Sequence, residues 1–425
     1  MKILHLCTDG GGGAANAALR LHQGLLSLGV DSVFGIKAGE PADNLTIAAP
    51  SGLRKWYASQ APRLEYHSAK WLHPKIRPVL PAYRFPGVCR SLIRRVRPDL
   101  VNLHWIDNNL VSFSDLRWIK NRGIPIVWTL HDMSPLSGGF HYREMADLPP
   151  SPLGPLTLPG AGSGVSWSIL RRRAEALENA RLTVVSPSVW LAEEAKHSPV
   201  FRGGDVRRIP YGIDTERFRS HDQMESRRYF GFPENSMILL FGADSFEDPR
   251  KGLSHLEEVV GYLSKKGLPL ILVGFGNRHP VADGRFACPT RLMGRLESET
   301  ELSRLYSAAD LFVCPSREDN LPNTMIEALA CGTPVAGFEI GGLPDLVKQS
   351  QTGVTVPPFD EALMAERIAC FLQLEARQRN EIRARCRQSI LEGLTLEHQA
   401  TAYLREVYEP LLAGTSNEAG SRSCR

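Results

Sequence analysis

Pro315-Ser316-Arg317-Glu318-Asp319-Asn320-Leu321-Pro322-Asn323-Thr324-Met325-Ile326-Glu327-Ala328-Leu329-Ala330-Cys331-Gly332-Thr333-Pro334-Val335 is the stretch on which the fold turns. An apolar strand end gives way to a polar turn, then to a helix that Gly332 closes, then to a new strand. Asn323 is placed to cap that helix, because its side chain accepts from the orphan amides of a first turn. A helix N-terminus combines free amides with the positive end of the dipole, which makes it a phosphate site wherever it opens to a ligand. Glu327 sits one turn into the helix. It is either a carboxylate that accepts from paired ribose hydroxyls or a solvent-facing helix residue, the usual place for Glu.

Outward from this stretch the same grammar repeats. Apolar runs at 237–241, 269–273, 291–294, 311–314, 333–337 and 354–356 alternate with helical stretches at 252–265, 299–307, 323–331 and 361–374. Upstream, runs at 3–7, 32–36, 100–103, 126–130 and 182–186 follow the same rule, with a helix over 15–28. Short apolar strands separated by helices predict mostly parallel sheets covered on both faces. The pattern restarts near 202–214, which predicts two α/β domains, 1–203 and 204–394, with a cleft between them. A last helix over 395–412 is expected to pack back on the first domain. The polar residues 413–425 read as a disordered tail, and the Pro/Gly-rich residues 149–164 as a surface loop.

The chain has 425 residues, 43% hydrophobic and 23% charged, which suits a globular protein of two domains. No apolar run is long enough to span a bilayer, and the N-terminal run is too short for a signal peptide. Eight cysteines without C-x-x-C spacing read as reduced core thiols, which places the chain in the cytoplasm. The net charge of +4 is uneven. Residues 51–98 carry many cations, Arg90, Arg94, Arg95 and Arg97 among them, with Glu65 the lone carboxylate and Trp56, Tyr57, Tyr66 and Trp71 interleaved. Such a surface suits peripheral contact with an anionic membrane, each cation adding on the order of 1 kcal/mol; a solvated helical face is the plain alternative. Nucleic acid is not an expected partner.

The 315–335 stretch resembles the signature of the retaining glycosyltransferases of family four, in which two acids separated by seven residues precede an Ala-Cys-Gly-Thr-Pro-Val turn. Asp319 and Glu327 have that spacing, with Asp319 where the family usually has Glu and Glu318 just before it. Glu-Asp-Asn-Leu-Pro-Asn resembles the subgroup that builds bacterial exopolysaccharides of the colanic-acid type. The resemblance implies the GT-B architecture, two Rossmann-like α/β domains facing a cleft. It implies that Glu327 grips the nucleotide ribose, that Glu318 or Asp319 with Asn320 and Leu321 lines the sugar pocket, and that Asn323 offers its backbone amide to the diphosphate. Lys251 matches the family's phosphate-binding lysine. The family arginine falls where this chain has Ala243-Asp244, which leaves Arg250 to take its place; a solvated turn is the alternative for both.

Gly10-Gly11-Gly12-Gly13 follows the first strand and opens a helix, and similar family loops sit beside the donor phosphates, so Gly12 and Gly13 are expected there. His131 ends a strand at the carboxyl edge where open α/β sheets bind ligands, and it resembles the family histidine at the anomeric centre. His104-Trp105 ends the preceding strand and is expected on the acceptor side. The stretch after His141-Tyr142 lacks the cysteines common in the subgroup, and Tyr211 stands where Asn is common.

The function implied is retaining transfer from a UDP- or GDP-linked sugar to a glycan or lipid-linked acceptor, with His131, Asp319 and Lys251 at the reacting centre. Lys251 and helix amides would stabilise the departing diphosphate. No Asp-x-Asp pair and no His/Cys cluster with metal spacing occurs, so no metal or other cofactor is expected. The rival readings are a nucleotide-sugar epimerase and a non-catalytic glycosyltransferase-like partner subunit. An NAD-dependent oxidoreductase would need a spaced-glycine fingerprint, which is missing.

Overall fold

The computed structural model describes residues 1–38, 46–48, 60, 87–142, 164–276, 284–296 and 298–413. The chain divides into two compact units, Met1–Gly212 joined by the C-terminal stretch from Leu396, and Ile213–Thr395. Most of the basic stretch 51–98, the 149–163 part of the expected loop and the tail from 414 lie outside the described residues.

The first unit is built on a seven-stranded parallel sheet: β1 (Lys2–Asp9), β2 (Asp31–Ala38), β3 (Thr46–Ala48), β4 (Leu100–Leu103), β5 (Ile126–Thr129), β6 (Leu182–Ser186) and β7 (Asp205–Arg208). Their order is β3-β2-β1-β4-β5-β6-β7. The second unit carries a six-stranded parallel sheet of β8 (Met237–Ala243), β9 (Leu270–Gly276), β10 (Thr290–Leu292), β11 (Leu311–Cys314), β12 (Val335–Phe338) and β13 (Gly353–Val356), in the order β10-β9-β8-β11-β12-β13. The two units are therefore both Rossmann-like α/β folds with the same winding. In each, the order reverses beside the first strand, between β1 and β4 and between β8 and β11, and such switch points are where open α/β sheets bind ligands. The central strands β4, β5, β11 and β12 are buried at every position, which explains why they read as mainly apolar runs, with Asn102 in β4 and Thr129 at the end of β5 the polar exceptions.

Two elements depart from the sequence reading. β7, Asp-Val-Arg-Arg, is a polar edge strand paired with β6, so the first unit runs to Gly212 rather than to 203. An edge strand needs no apolar alternation to pair, and charge on it discourages further pairing. The helix Ala376–Leu391 is the second departure. It buries only Ile382, Cys386 and Ile390, and Arg379, Arg383 and Arg387 reach from it to backbone carbonyls. An apolar period is too thin there to announce a helix.

The C-terminal helix Leu396–Ala402 continues through a π-helical turn, Tyr403–Tyr408, and belongs to the first unit. Ala400, Tyr403, Val407 and Tyr408 bury themselves against Ile3, Leu21, Leu100, Val127 and Val185. Helix Gly13–Ser27 approaches it so closely that a Cβ at Gly24 would stand 2.7 Å from the Leu396 carbonyl oxygen. Residues five apart stand about 140° apart around an α-helix. The wider π turn brings Tyr403 and Tyr408 onto one face. Both hydroxyls then reach the central strands: the Tyr403 hydroxyl lies 3.0 Å from Thr129 Oγ1, and Asn102 Nδ2 donates to the Tyr408 hydroxyl at 2.8 Å. Thr129 Oγ1 donates to Asn102 Oδ1 at 2.9 Å, closing a buried network.

The described cysteines form no disulfide, and burial pushes the Cys7, Cys331 and Cys386 thiols up to about 12. Among the described residues no helix is long and apolar enough to cross a membrane. Of the basic stretch, Arg90 is turned onto its own fold, pairing with the buried Asp115 at 2.5 Å, and Arg90 and Arg94 both lie over the Trp118 ring.

Candidate active site

In the second unit the turn after β11 interlocks with the residues after β8. The Arg317 amide donates to the Arg250 carbonyl at 2.8 Å, and Arg250 Nη1 donates to the Glu318 carbonyl at 3.1 Å. A Cβ at Gly252 would fall 1.8 Å from the Pro315 carbonyl oxygen, and one at Gly341 1.8 Å from that of Asp319, both at positive φ. Only glycine permits approaches this close. Asp248 caps the short helical turn Pro249–Lys251 through the Arg250 amide and pairs with the Arg250 guanidinium.

This framework places Lys251 and Arg250 on a single carboxylate oxygen. Asp319 Oδ2 lies 2.6 Å from Lys251 Nζ and 3.1 Å from Arg250 Nη1. Asp319 is 6% exposed. Its burial pushes the carboxyl up, but Lys251, Arg250 and the hydrogen bonds it accepts from Lys251 and the Asn320 amide outweigh that, and the group lies below its ordinary value. Of the two adjacent acids, Asp319 is thus the one that meets the cations, and Arg250 stands beside Lys251 rather than in a solvated turn. Glu318, Asn320 and Leu321 are buried next to it.

The helix Asn323–Ala330 corrects one expectation: its N-cap is Pro322, which has no side-chain acceptor, and Asn323 is the first helical residue. The solvent-facing reading of Glu327 is also excluded. It is 6% exposed, and its Oε2 accepts from the Tyr306 hydroxyl at 2.9 Å.

In the first unit, Gly12 takes φ +91 as the N-cap of helix Gly13–Ser27, and a Cβ at Gly11 or Gly12 would meet nothing within 4 Å. The expected His131 follows β5. Three buried imidazoles form one hydrogen-bonded line that ends on Tyr211. His5 Nδ1 lies 2.9 Å from His104 Nε2, His104 Nδ1 lies 3.0 Å from His131 Nε2, and His131 Nδ1 lies 2.7 Å from the Tyr211 hydroxyl. Burial drives His131 down to about 4, opposed by Asp132, and pushes His5 and His104 well below the usual histidine range, helped by neighbouring imidazoles. All three are neutral at neutral pH.

Beside this line stands a carboxylate–imidazole cluster that the sequence reading did not single out. His141 Nδ1 lies 2.6 Å from Asp132 Oδ2, and its Nε2 lies 3.8 Å from Asp107 Oδ2. Burial and the Asp132 charge raise the Asp107 carboxyl to about 6 against the pull of His141 and Arg173. Arg173 Nη1 ties the loop down through the carbonyls of Ser134, Pro135 and Ser137. His104, Asp107, His131, Asp132 and Ser134 line a cavity of about 10 Å³, room for one water molecule at most. The histidines end or occupy β1, β4 and β5, neighbours only in the folded sheet order, so the linear sequence offered no sign that they touch. Among the described residues no group of three or more His, Cys, Asp or Glu side chains is arranged to hold a metal ion.

Comparison with known proteins agrees with this fold. Residues 11–217 match the family Glycosyltransferase Family 4, and residues 236–373 match Glycosyl transferases group 1. The chain is 28% identical to a sulfoquinovosyl transferase of Arabidopsis thaliana over 270 residues, 62% of this chain and 47% of that protein. It is 29% identical to a D-inositol 3-phosphate glycosyltransferase of Segniliparus rotundus over 224 residues, 49% of this chain and 48% of that protein. The chain thus spans about half the length of these curated relatives. The solved structure of Anabaena HepE in complex with UDP-glucose superposes with a TM-score of 0.62 at 15% identity, covering 98% of this chain and 100% of that one. With a glycosyltransferase family matched on each of two parallel-sheet units, the chain belongs to the GT-B glycosyltransferases of the family-four type.

Proposed function

We propose that the protein transfers a sugar, with retention, from a nucleoside-diphosphate sugar to a hydroxyl of a glycan or lipid-linked acceptor. The observation that carries this reading is the meeting of Lys251, Arg250 and Asp319 at the switch point of the second unit, beside the N-terminus of helix Asn323–Ala330. Two cations gathered there suit the diphosphate of a UDP- or GDP-linked donor, and the charge that grows on that diphosphate as it leaves is what they would stabilise. Asp319 holds both cations in register until the donor arrives. Glu327, already oriented by Tyr306, accepts from the ribose hydroxyls. Asn320 and Leu321 line the sugar pocket, the amide of Asn323 meets the diphosphate, and His131 faces the anomeric centre. Gly12, where an added Cβ would meet nothing, leaves the backbone open for close approach, and Gly13 stands next to it. The likeness to Anabaena HepE, solved in complex with UDP-glucose, favours UDP as the nucleotide. The D-inositol 3-phosphate in the name of one relative favours a polyol phosphate as acceptor, and the Glu-Asp-Asn-Leu-Pro-Asn motif favours exopolysaccharide or cell-envelope glycan synthesis at the membrane surface.

The test is a thermal-shift and hydrolysis panel of UDP- and GDP-sugars against the wild type and Glu327→Gln, which keeps a hydrogen-bond acceptor for Tyr306. One nucleotide class is expected to raise Tm in the wild type and to lose on the order of tenfold in affinity in the variant. No response of the wild type to any donor at millimolar concentration would remove the reading.

A further inference from the structure

We propose that His104 and Tyr211 are positioning residues that hold the ring of His131 in a single tautomer, and that His5 completes the device. The inference rests on the glycosyltransferase reading only for its effect on turnover; the wiring itself is a property of the first unit.

Proton counting narrows the choices. A neutral imidazole has one N–H and one lone pair. Each N···N bond in the line needs one of each, so placing a single hydrogen places all of them. Two arrangements exist. In one, the Tyr211 hydroxyl donates to His131 Nδ1 and every N–H points toward His5, whose Nε2–H then ends in the interior. In the other, His131 Nδ1–H donates to the Tyr211 oxygen, His104 Nδ1–H donates to His131 Nε2, and His5 Nδ1–H donates to His104. His5 is fully buried and its Nε2 has no partner among the described residues. A buried N–H without an acceptor is rarer than an unused acceptor, so the second arrangement is favoured, with His131 carrying its proton on Nδ1.

Adding a proton to His104 or His131 would set two N–H groups against each other and break a bond; His5 Nε2, the open lone pair of the line, is kept from charging by burial and by the neighbouring His22. The charged and titratable groups around the line are Asp132 and Asp107 beside His131, and His22, from helix Gly13–Ser27, whose ring lies 5.9 Å from that of His5. Tyr211 also stacks on His131 at 5.6 Å, and the His104 and His131 ring centroids lie 5.2 Å apart, so orientation and tautomer are set by the same neighbours. Because both ring nitrogens of His131 are bonded inside the first unit, the ring meets a donor as a neutral, fixed body and moves no proton.

The experiment is a nitrogen spectrum of the full chain labelled with 15N-histidine, from about pH 8 to 5, for the wild type and Tyr211→Phe. In the wild type His5, His104 and His131 should each show one tautomer and no titration. Loss of the Tyr211 oxygen should move the nitrogens of His131 and also those of His104 and His5, since they switch together. A change confined to His131, or averaged tautomers in the wild type, would overturn the proposal. In turnover, Tyr211→Phe should lower kcat on the order of tenfold with the donor KM within about twofold, as removal of an orienting partner does. His104→Gln, which keeps one donor and one acceptor, should retain more activity than His104→Leu; equal losses would also overturn it. Should His104→Leu fail to fold, Tyr211→Phe alone decides. A wild type that turns over no donor would defeat the functional reading while the nitrogen spectrum still decides the wiring.

Discussion

The two units wind their sheets in the same order, yet they dress the same topological position in opposite ways. Within β1 and just past the carboxyl ends of β4 and β5 the first unit gathers imidazoles that burial keeps neutral. Around the ends of β8 and β11 the second unit gathers two cations on one ionised carboxylate. The winding supplies the place, and the side chains decide whether that place is held together by neutral hydrogen bonds or by charge. Neutral groups keep their value when buried only if every donor meets an acceptor. Charges keep theirs only if they are paired.

The largest test of this contrast strikes the charged side. Lys251→Ala leaves Asp319 with Arg250 alone and, under the proposed function, removes one of the two cations meant for the diphosphate. Turnover should fall about 10²- to 10³-fold, measured as kcat/KM with the donor found by the thermal-shift panel. A loss under about tenfold would make the cluster structural.

Acid should then separate the units. The three lowered histidines bind protons in the unfolded chain below about 6.5 but not in the fold until lower pH. Their contribution is therefore present above 6.5 and lost as pH falls through the folded values; His131, at about 4, alone accounts for about 3 kcal/mol. Asp107, raised to about 6, and Asp9, also raised by burial, work the other way and add stability as pH falls, but they are two groups against three. In the second unit His221 is lowered as well, though it is only part-buried. Asp319, depressed, gives up its contribution only below the ordinary carboxylate range. Hydrogen exchange between pH 7 and about 4.5 should show amides of β1, β4 and β5 losing protection before those of β8 and β11. The reverse order would break the comparison.

The smallest expected effect concerns what supports the neutral side. Tyr403→Phe removes the hydroxyl next to Thr129 and should cost about 1 kcal/mol in urea unfolding with donor affinity unchanged. A loss of donor affinity would tie the C-terminal helix to the site itself.

Much of this was legible in the residues. Strand after strand in the central sheets is a mainly apolar run because both its faces are covered. The Asp319–Glu327 spacing and Lys251 marked the second unit's site, because a turn and a helix start are local events. What stayed hidden has local causes too. The Ala376–Leu391 helix uses arginines on carbonyls instead of an apolar stripe, and β7 is an edge strand with no buried face to advertise. Asn323 has the side chain of a cap because Asn often is one, but the chain enters the helix one residue earlier, through Pro322.

The sequence by itself determined the alternation of strands and helices, the two-unit plan and the turn-then-helix course of the 315–335 stretch, since periodicity and turn chemistry act over a few neighbours. Only the tertiary structure decided that Asp319 rather than Glu318 receives Lys251 and Arg250, that Glu327 turns inward to Tyr306, and that His5, His104 and His131 join in one line. Those contacts span up to 99 residues of chain. They exist because the sheet orders set β1, β4 and β5, and likewise β8 and β11, side by side, and strand order is settled by packing the whole chain rather than by any stretch of it.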